Sequence, residues 1–328
     1  MRFAVDGWAP DYGTSFQDLG EALPESAARV ESAVEVDTSA WSPVDSTPCP
    51  MPSNVLFVDG VRRIEARLWI EPDSATGGPT PGICASYAAG VVHSTAAGAR
   101  VAVAEARRGL FTTDPQATDI LSGHGPWRVC HTTTGSSQPV FDALSLALQR
   151  KLGELEMICA GSARAATPAA DDDLLVIDGP LRGRTALPRT IAVIKSHQMT
   201  YLPPELNRVV GTLRPGQRTP VFLLGTTWDR YCWYLRLPGA DRSPWAGVLR
   251  VECAPDLPAG EAIRLAVLSQ TVLPRYASEP YREPRAPQNL YPIAGLEQHL
   301  RHRLGDPQLL RRSLQAAARQ TTVPSIDH

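Results

Sequence analysis

Two stretches of this 328-residue chain end an apolar run in the same dipeptide. Val55-Leu-Phe-Val-Asp-Gly60 and Leu174-Leu-Val-Ile-Asp-Gly-Pro-Leu181 each read as a buried strand that turns as it leaves a sheet, with a carboxylate at its carboxyl end. One Asp-Gly pair is ordinary turn chemistry. Two of them offer Asp59 and Asp178 to a common point, where carboxylates suit hard divalent cations. Glu154 or Glu156, on the helical stretch 141–159, can supply a third acid. Carboxylates from separate strands and a helix, converging on one point, bind metals that activate water and steady a phosphoryl-transfer transition state. Mg²⁺ and Mn²⁺ suit such an oxygen shell. Lys195, closing Ile191-Ala-Val-Ile-Lys195, can neutralise charge on a transferred phosphate or simply sit as a strand-end surface lysine. His299 lies about 60° from Leu296 by the 3.6-residue period, at the edge of a stripe of Leu296, Leu300 and Leu304. A histidine there can ligate a metal or carry a proton, although His299 and Tyr291 taken singly also read as packing.

The elements that must position these groups follow from periodicity. Residues 54–59 form a strand, and Ile64, Ala66, Leu68 and Ile70 alternate with charges as a second strand, pairing with the first as a hairpin. Strands are expected at 83–93 and 98–106, an irregular region at 109–138, and a helix from Phe141 to Cys159 with Leu144, Leu148, Leu152, Leu155 and Ile158 on its apolar face. Strands at 174–178 and 191–195 come next, then a helix near 204–213 and strands at 220–225, 231–237 and 247–253, the last two as a hairpin. Pro292 opens a helix carrying His299, and a second helix, 307–319, follows. Strands, helix, strands, then helices give a mixed sheet with helical cover.

Residues 1–50 carry nine acids against two arginines, with a helix-like stretch at 15–34, and read as an acidic arm; residues 51–320 read as the main domain and 321–328 as a tail. The net charge of −2 does not favour nucleic acid, but removing the arm leaves the remainder basic, which permits a local basic face. Lysine occurs only at Lys151 and Lys195, so each stands where an ammonium was kept among 30 arginines. Cys49, Cys84, Cys130, Cys159, Cys232 and Cys253 are scattered without metal-ligand spacing and read as reduced thiols. No apolar run reaches the roughly 18 residues that span a bilayer, and a cytoplasmic location is expected.

Taken together, Val55-Leu-Phe-Val-Asp-Gly60, Leu152-Gly-Glu-Leu-Glu156, Leu175-Val-Ile-Asp-Gly-Pro-Leu181, Ala192-Val-Ile-Lys195, Trp233-Tyr-Leu-Arg-Leu237 and Tyr291-Pro-Ile-x-x-Leu-x-x-His299 resemble, in order, the NurA nucleases. The resemblance implies an α/β fold with an RNase H-like mixed sheet core flanked by helices. It implies a Mn²⁺- or Mg²⁺-dependent nuclease with single-strand endonuclease and 5′-to-3′ exonuclease activity. It also implies a homodimer that docks on a hexameric HerA-type ATPase and resects double-strand breaks in DNA repair. By it, Asp59, Glu154, Asp178 and His299 match metal ligands, and Tyr291 and His299 match a C-terminal active-site pair. Val61 and Pro180 stand where the family commonly has serine. Two other readings remain: a catalytically weak, DNA-gripping dimeric adaptor of a translocase, and an ATPase of the same core fold. The latter needs a Gly/Thr/Ser phosphate hairpin after its first aspartate, where this chain has Val61-Arg-Arg63.

Overall fold

The apolar runs become strands and the 3.6-period runs become helices. A computed structural model describes residues 28–71, 78–135, 138–167, 172–185, 187–197, 199–239 and 245–321. In chain order the elements are β1 (Arg29–Glu31), β2 (Val55–Ile70), β3 (Thr80–Thr95), β4 (Gly98–Thr112), β5 (Ile120–Ser122), β6 (Gly125–His131), α1 (Val140–Ala165), β7 (Leu174–Asp178), β8 (Thr190–Ile194), α2 (Pro204–Thr212), β9 (Phe222–Gly225), β10 (Asp229–Arg236), β11 (Val248–Cys253), α3 (Ala259–Val272), α4 (Tyr291–Arg303) and α5 (Pro307–Thr321). The strands form one mixed sheet in the order β1-β9-β10-β11-β8-β7-β2-β3-β4-β6-β5. This is the mixed α/β sheet with helical cover that the sequence predicts.

The chain divides into two compact units. The first comprises Met1–Val58, Val92–Arg100 and Ala163–Gly295. Here the start of β2 runs parallel to β7, and β7 runs parallel to β8. All are buried apolar runs, as strands covered on both faces require. β11 pairs antiparallel with β8 and β10, confirming the 231–237/247–253 hairpin, and α3 packs on β10 and β11. Leu206 and Val210 of α2 join Trp41, Phe222 and Tyr234 in a core cluster. The second unit comprises Asp59–Val91, Val101–Ser162 and Leu296–His328. Its α1 buries Leu144, Leu148, Leu152, Leu155 and Cys159, and α5 sends Leu310 and Leu314 against Cys84, Leu110 and Trp127.

Several expectations change. Residues 55–70 are one continuous strand, so the predicted hairpin at Asp59-Gly60 does not form. The reason is lateral: a Cβ on Gly60 would meet Glu156 Oε1 and Leu152 Cδ1 at 2.6 Å each, so the glycine admits α1 rather than a turn. The irregular region 109–138 instead holds the end of β4 with β5 and β6, which runs parallel to β4. Ile158 faces solvent. The helix-like stretch 15–34 falls partly outside the described residues, and its residues 29–31 are strand β1, paired with β9. Residues 28–44 are not a free arm. Glu35 makes two hydrogen bonds with the buried Arg218, at 2.7 and 2.8 Å, and Trp41 lies in the core.

Candidate metal centre

The parallel ladder of β2 and β7 sets Val55 to Val58 opposite Leu174 to Ile177. Asp59 is bonded to Val58 and Asp178 to Ile177, so the two carboxylates follow one another's rung. The two Asp-Gly pairs then diverge. Gly179 has φ +87°, a left-handed conformation that glycine takes without steric cost, and the chain leaves the sheet there. Gly60 stays in the strand, and its N–H donates to Asp59 Oδ1 at 2.7 Å. Asp59 is buried, with 6% exposure.

Asp178 is held by a cation. Lys195 Nζ, one residue beyond β8, donates to Asp178 Oδ2 at 2.5 Å and to Asn289 Oδ1 at 2.7 Å. The side chains of Lys195 and Asp178 are only 11% and 12% exposed. Lys195 is thus no free surface lysine: a compact ammonium fits where a planar guanidinium would need more donors satisfied. Asn289 is fully buried just before α4, and its Nδ2 makes no hydrogen bond among the described residues. Arg184 donates from NH1 to the Asp178 backbone oxygen at 3.2 Å.

The third acid is Glu297 of α4. Asp59, Asp178 and Glu297 each offer a carboxylate oxygen, and these oxygens lie within 4.8 Å of one another. Sequence reasoning missed Glu297 although it lies inside the Tyr291-to-His299 motif, because the neighbouring histidine is the more conspicuous ligand type. Helix phase separates them. At 100° per residue Glu297 and His299 are about 200° apart, on opposite flanks of the buried Leu296/Leu300 stripe. His299 is accordingly absent from the acid cluster, and its Nε2 is buried without a hydrogen-bond partner among the described residues. Tyr291 points its hydroxyl to Glu279 Oε2 at 3.1 Å and accepts the Glu279 N–H at 3.2 Å. Hydrogen bonds from Tyr281 and Tyr291 hold the Glu279 carboxyl below the usual range.

The two glutamates of α1 differ in burial. Glu154, taken as the ligand from sequence, is 58% exposed and pairs with Lys151 at 2.7 Å one turn earlier. Glu156 is 3% exposed, with Oε1 beside Gly60. The same phase argument explains it: Leu152 and Glu156 are one turn apart on the inward face of α1, and Glu154 points away. Three hard oxygen donors at mutual ligand distance, one on a buried aspartate, fit a small divalent cation rather than a soft one.

No family model matches this chain, and no curated protein matches it. Among solved structures, the chain is similar to the crystal structure of the NurA nuclease from Sulfolobus solfataricus, with a TM-score of 0.45 and 11% sequence identity over 84% of this chain and 88% of that one. Among the described residues no helix is long and apolar enough to cross a membrane.

Proposed function

We propose that the chain is a divalent-metal-dependent deoxyribonuclease, a phosphodiester hydrolase with Asp59, Asp178 and Glu297 as its metal ligands. The observation that carries this reading is the convergence of those three carboxylates on one point. When bound there, Mn²⁺ or Mg²⁺ supplies Lewis acidity and a water of lowered pKa. Lys195 restrains Asp178, and its ammonium is the cation that would meet a negatively charged phosphate at this centre; Asn289 accepts a hydrogen bond from Lys195 and so positions it. Glu156 Oε1 lies against Gly60, and Tyr291 with Glu279 forms a hydrogen-bonded pair at the start of α4. His299 remains a candidate proton carrier through its unbonded Nε2.

The finer reading rests on the ordered motifs. It is a homodimeric nuclease of DNA ends and single strands, cleaving as an endonuclease and 5′-to-3′ exonuclease, working with a HerA-type hexameric translocase in end resection and repair in the cytoplasm. The decisive experiment is cleavage of labelled single-stranded DNA by chelator-stripped protein resupplied with Mn²⁺. Asp59→Asn, Asp178→Asn and Glu297→Gln each lower the rate by roughly 10²-fold or more, the scale of losing a principal electrostatic stabiliser. Glu156→Gln lowers it more than Glu154→Gln. Equal rates in wild type and Asp59→Asn would refute the site; DNA binding without any cleavage by wild type would favour the adaptor reading.

A further inference from the structure

The second unit carries a basic feature. A cavity of about 470 Å³ is lined by Arg107, Arg108, Arg128, Lys151 and Arg303. The chain thus spends one of its two lysines here. A single carboxylate, Glu154, shares the lining. Three of the cations are paired, Arg107 with Glu105, Arg128 with Asp119 and Lys151 with Glu154, all through side chains of which at least one in each pair is more than 40% exposed. Such exposed pairs are worth about 0–1 kcal/mol, so a stronger anion displaces them cheaply. Neither Arg108 nor Arg303 is paired with a carboxylate among the described residues; Arg108 donates from NH1 to the His124 carbonyl, and its Nε is buried without a partner. Ser86, 1% exposed, also lines the cavity, and its Oγ has no hydrogen-bond partner among the described residues.

We propose that this cavity is a phosphate-binding site for a nucleotide unit. Guanidinium groups give planar, paired donors that match phosphate oxygens, the buried Ser86 hydroxyl and Arg108 Nε supply donors that now lack acceptors, and the volume is that of a small-ligand pocket. The phosphate belongs either to a DNA strand or to a free nucleotide such as a cleavage product. The strand source rests on the nuclease reading; the site itself does not. It also gives Glu154 a place: with Lys151 it forms the rim of this cavity.

The test uses the full-length protein in chelator, so that no turnover occurs. Binding of a fluorescent oligo-dT is followed by anisotropy against salt, with unlabelled dTMP as competitor. Lys151→Gln/Arg303→Gln removes two exposed cations; Arg208→Gln/Arg264→Gln removes two exposed cations elsewhere, and thermal melts check folding of both. The cavity variant binds the oligonucleotide about tenfold more weakly than the control variant, and its salt slope falls by about 1.4, near 0.7 for each single-strand phosphate that no longer meets a cation. If dTMP displaces the oligonucleotide from wild type and loses that power on the cavity variant, the site accepts free nucleotide. If dTMP never competes while the strand effect holds, it takes strand phosphates. Equal binding by the cavity and control variants, or no binding of either probe to wild type, overturns the proposal. Cleavage in Mn²⁺ is scored separately: absent cleavage with intact cavity-dependent binding overturns the nuclease reading alone.

Discussion

Lys195 holds a carboxylate oxygen of Asp178, one of the three clustered acids. Its Nζ lies 2.5 Å from Asp178 Oδ2 and both side chains are nearly buried. Lys195→Met removes the charge and keeps much of the stem. A hydrogen bond between charged groups contributes about 1.5–3 kcal/mol. Without a metal, the variant loses roughly that amount and not the 3–5 kcal/mol of a fully buried pair, because each side chain keeps some water. With a metal the sign reverses. A cation no longer has to displace or share Asp178 with an ammonium, so its Kd tightens roughly 10- to 100-fold, each factor of ten being about 1.4 kcal/mol. The assay is thermal unfolding of chelator-stripped protein across a Mn²⁺ titration, where stabilisation grows as RT ln(1 + [L]/Kd). Lys195→Met melts lower than wild type in chelator, and its melting temperature rises further and at lower Mn²⁺. Asn289→Ala takes away the second acceptor and leaves the ammonium to Asp178, so its metal-induced shift does not exceed that of wild type. Cleavage falls in Lys195→Met despite the tighter metal, because the ammonium no longer meets the phosphate. An equal or smaller metal-induced shift in the variant would refute competition at Asp178 Oδ2.

Gly60→Ala places a methyl 2.6 Å from Leu152 Cδ1 and Glu156 Oε1, where ordinary contact starts at 3.4 Å, so α1 must move away from β2. Urea unfolding shows a loss of about 1–3 kcal/mol, and adding Leu152→Ala reveals a coupling of at least about 0.5 kcal/mol; a loss below that size would show that the strand is not held by this approach. His197 is wholly buried, between the rings of Tyr234 and Trp245, and donates from Nε2 to the Val248 carbonyl at 3.0 Å. Burial pushes its pKa down to about 4 from the usual 6.5. Between those values the unfolded chain holds a proton that the folded chain lacks. Stability from this group is therefore full above pH 6.5 and is lost as pH falls towards 4, by about 3 kcal/mol. Urea titrations over that window show this slope in wild type and not in His197→Asn; parallel curves would overturn the assignment.

The two Asp-Gly pairs show which parts of the site the sequence holds and which it does not. Their apolar runs locate two parallel, buried strands whose paired rungs end at Val58 and Ile177, one residue before each aspartate, so that two of the cluster's three acids are legible from residue type and period alone. Whether each pair turns is not. Gly179 turns at φ +87°, while Gly60 runs straight because a helix some ninety residues later needs its missing Cβ, and no local pattern encodes a contact that distant. The burial of the glutamates follows from helix phase. Leu148, Leu152, Leu155 and Cys159 fix the buried face of α1, and Glu156, one turn past Leu152, shares that face while Glu154 does not. The same arithmetic on α4 puts Glu297 and His299 on opposite flanks of Leu296, so a motif that contains both can deliver only one of them to the carboxylates. Type and spacing thus nominate the chemistry, and the angle around the helix decides which nominee arrives. With a carboxylate in that place and not the histidine, the clustered donors among the described residues are all oxygens, the donor type that hard divalent cations prefer.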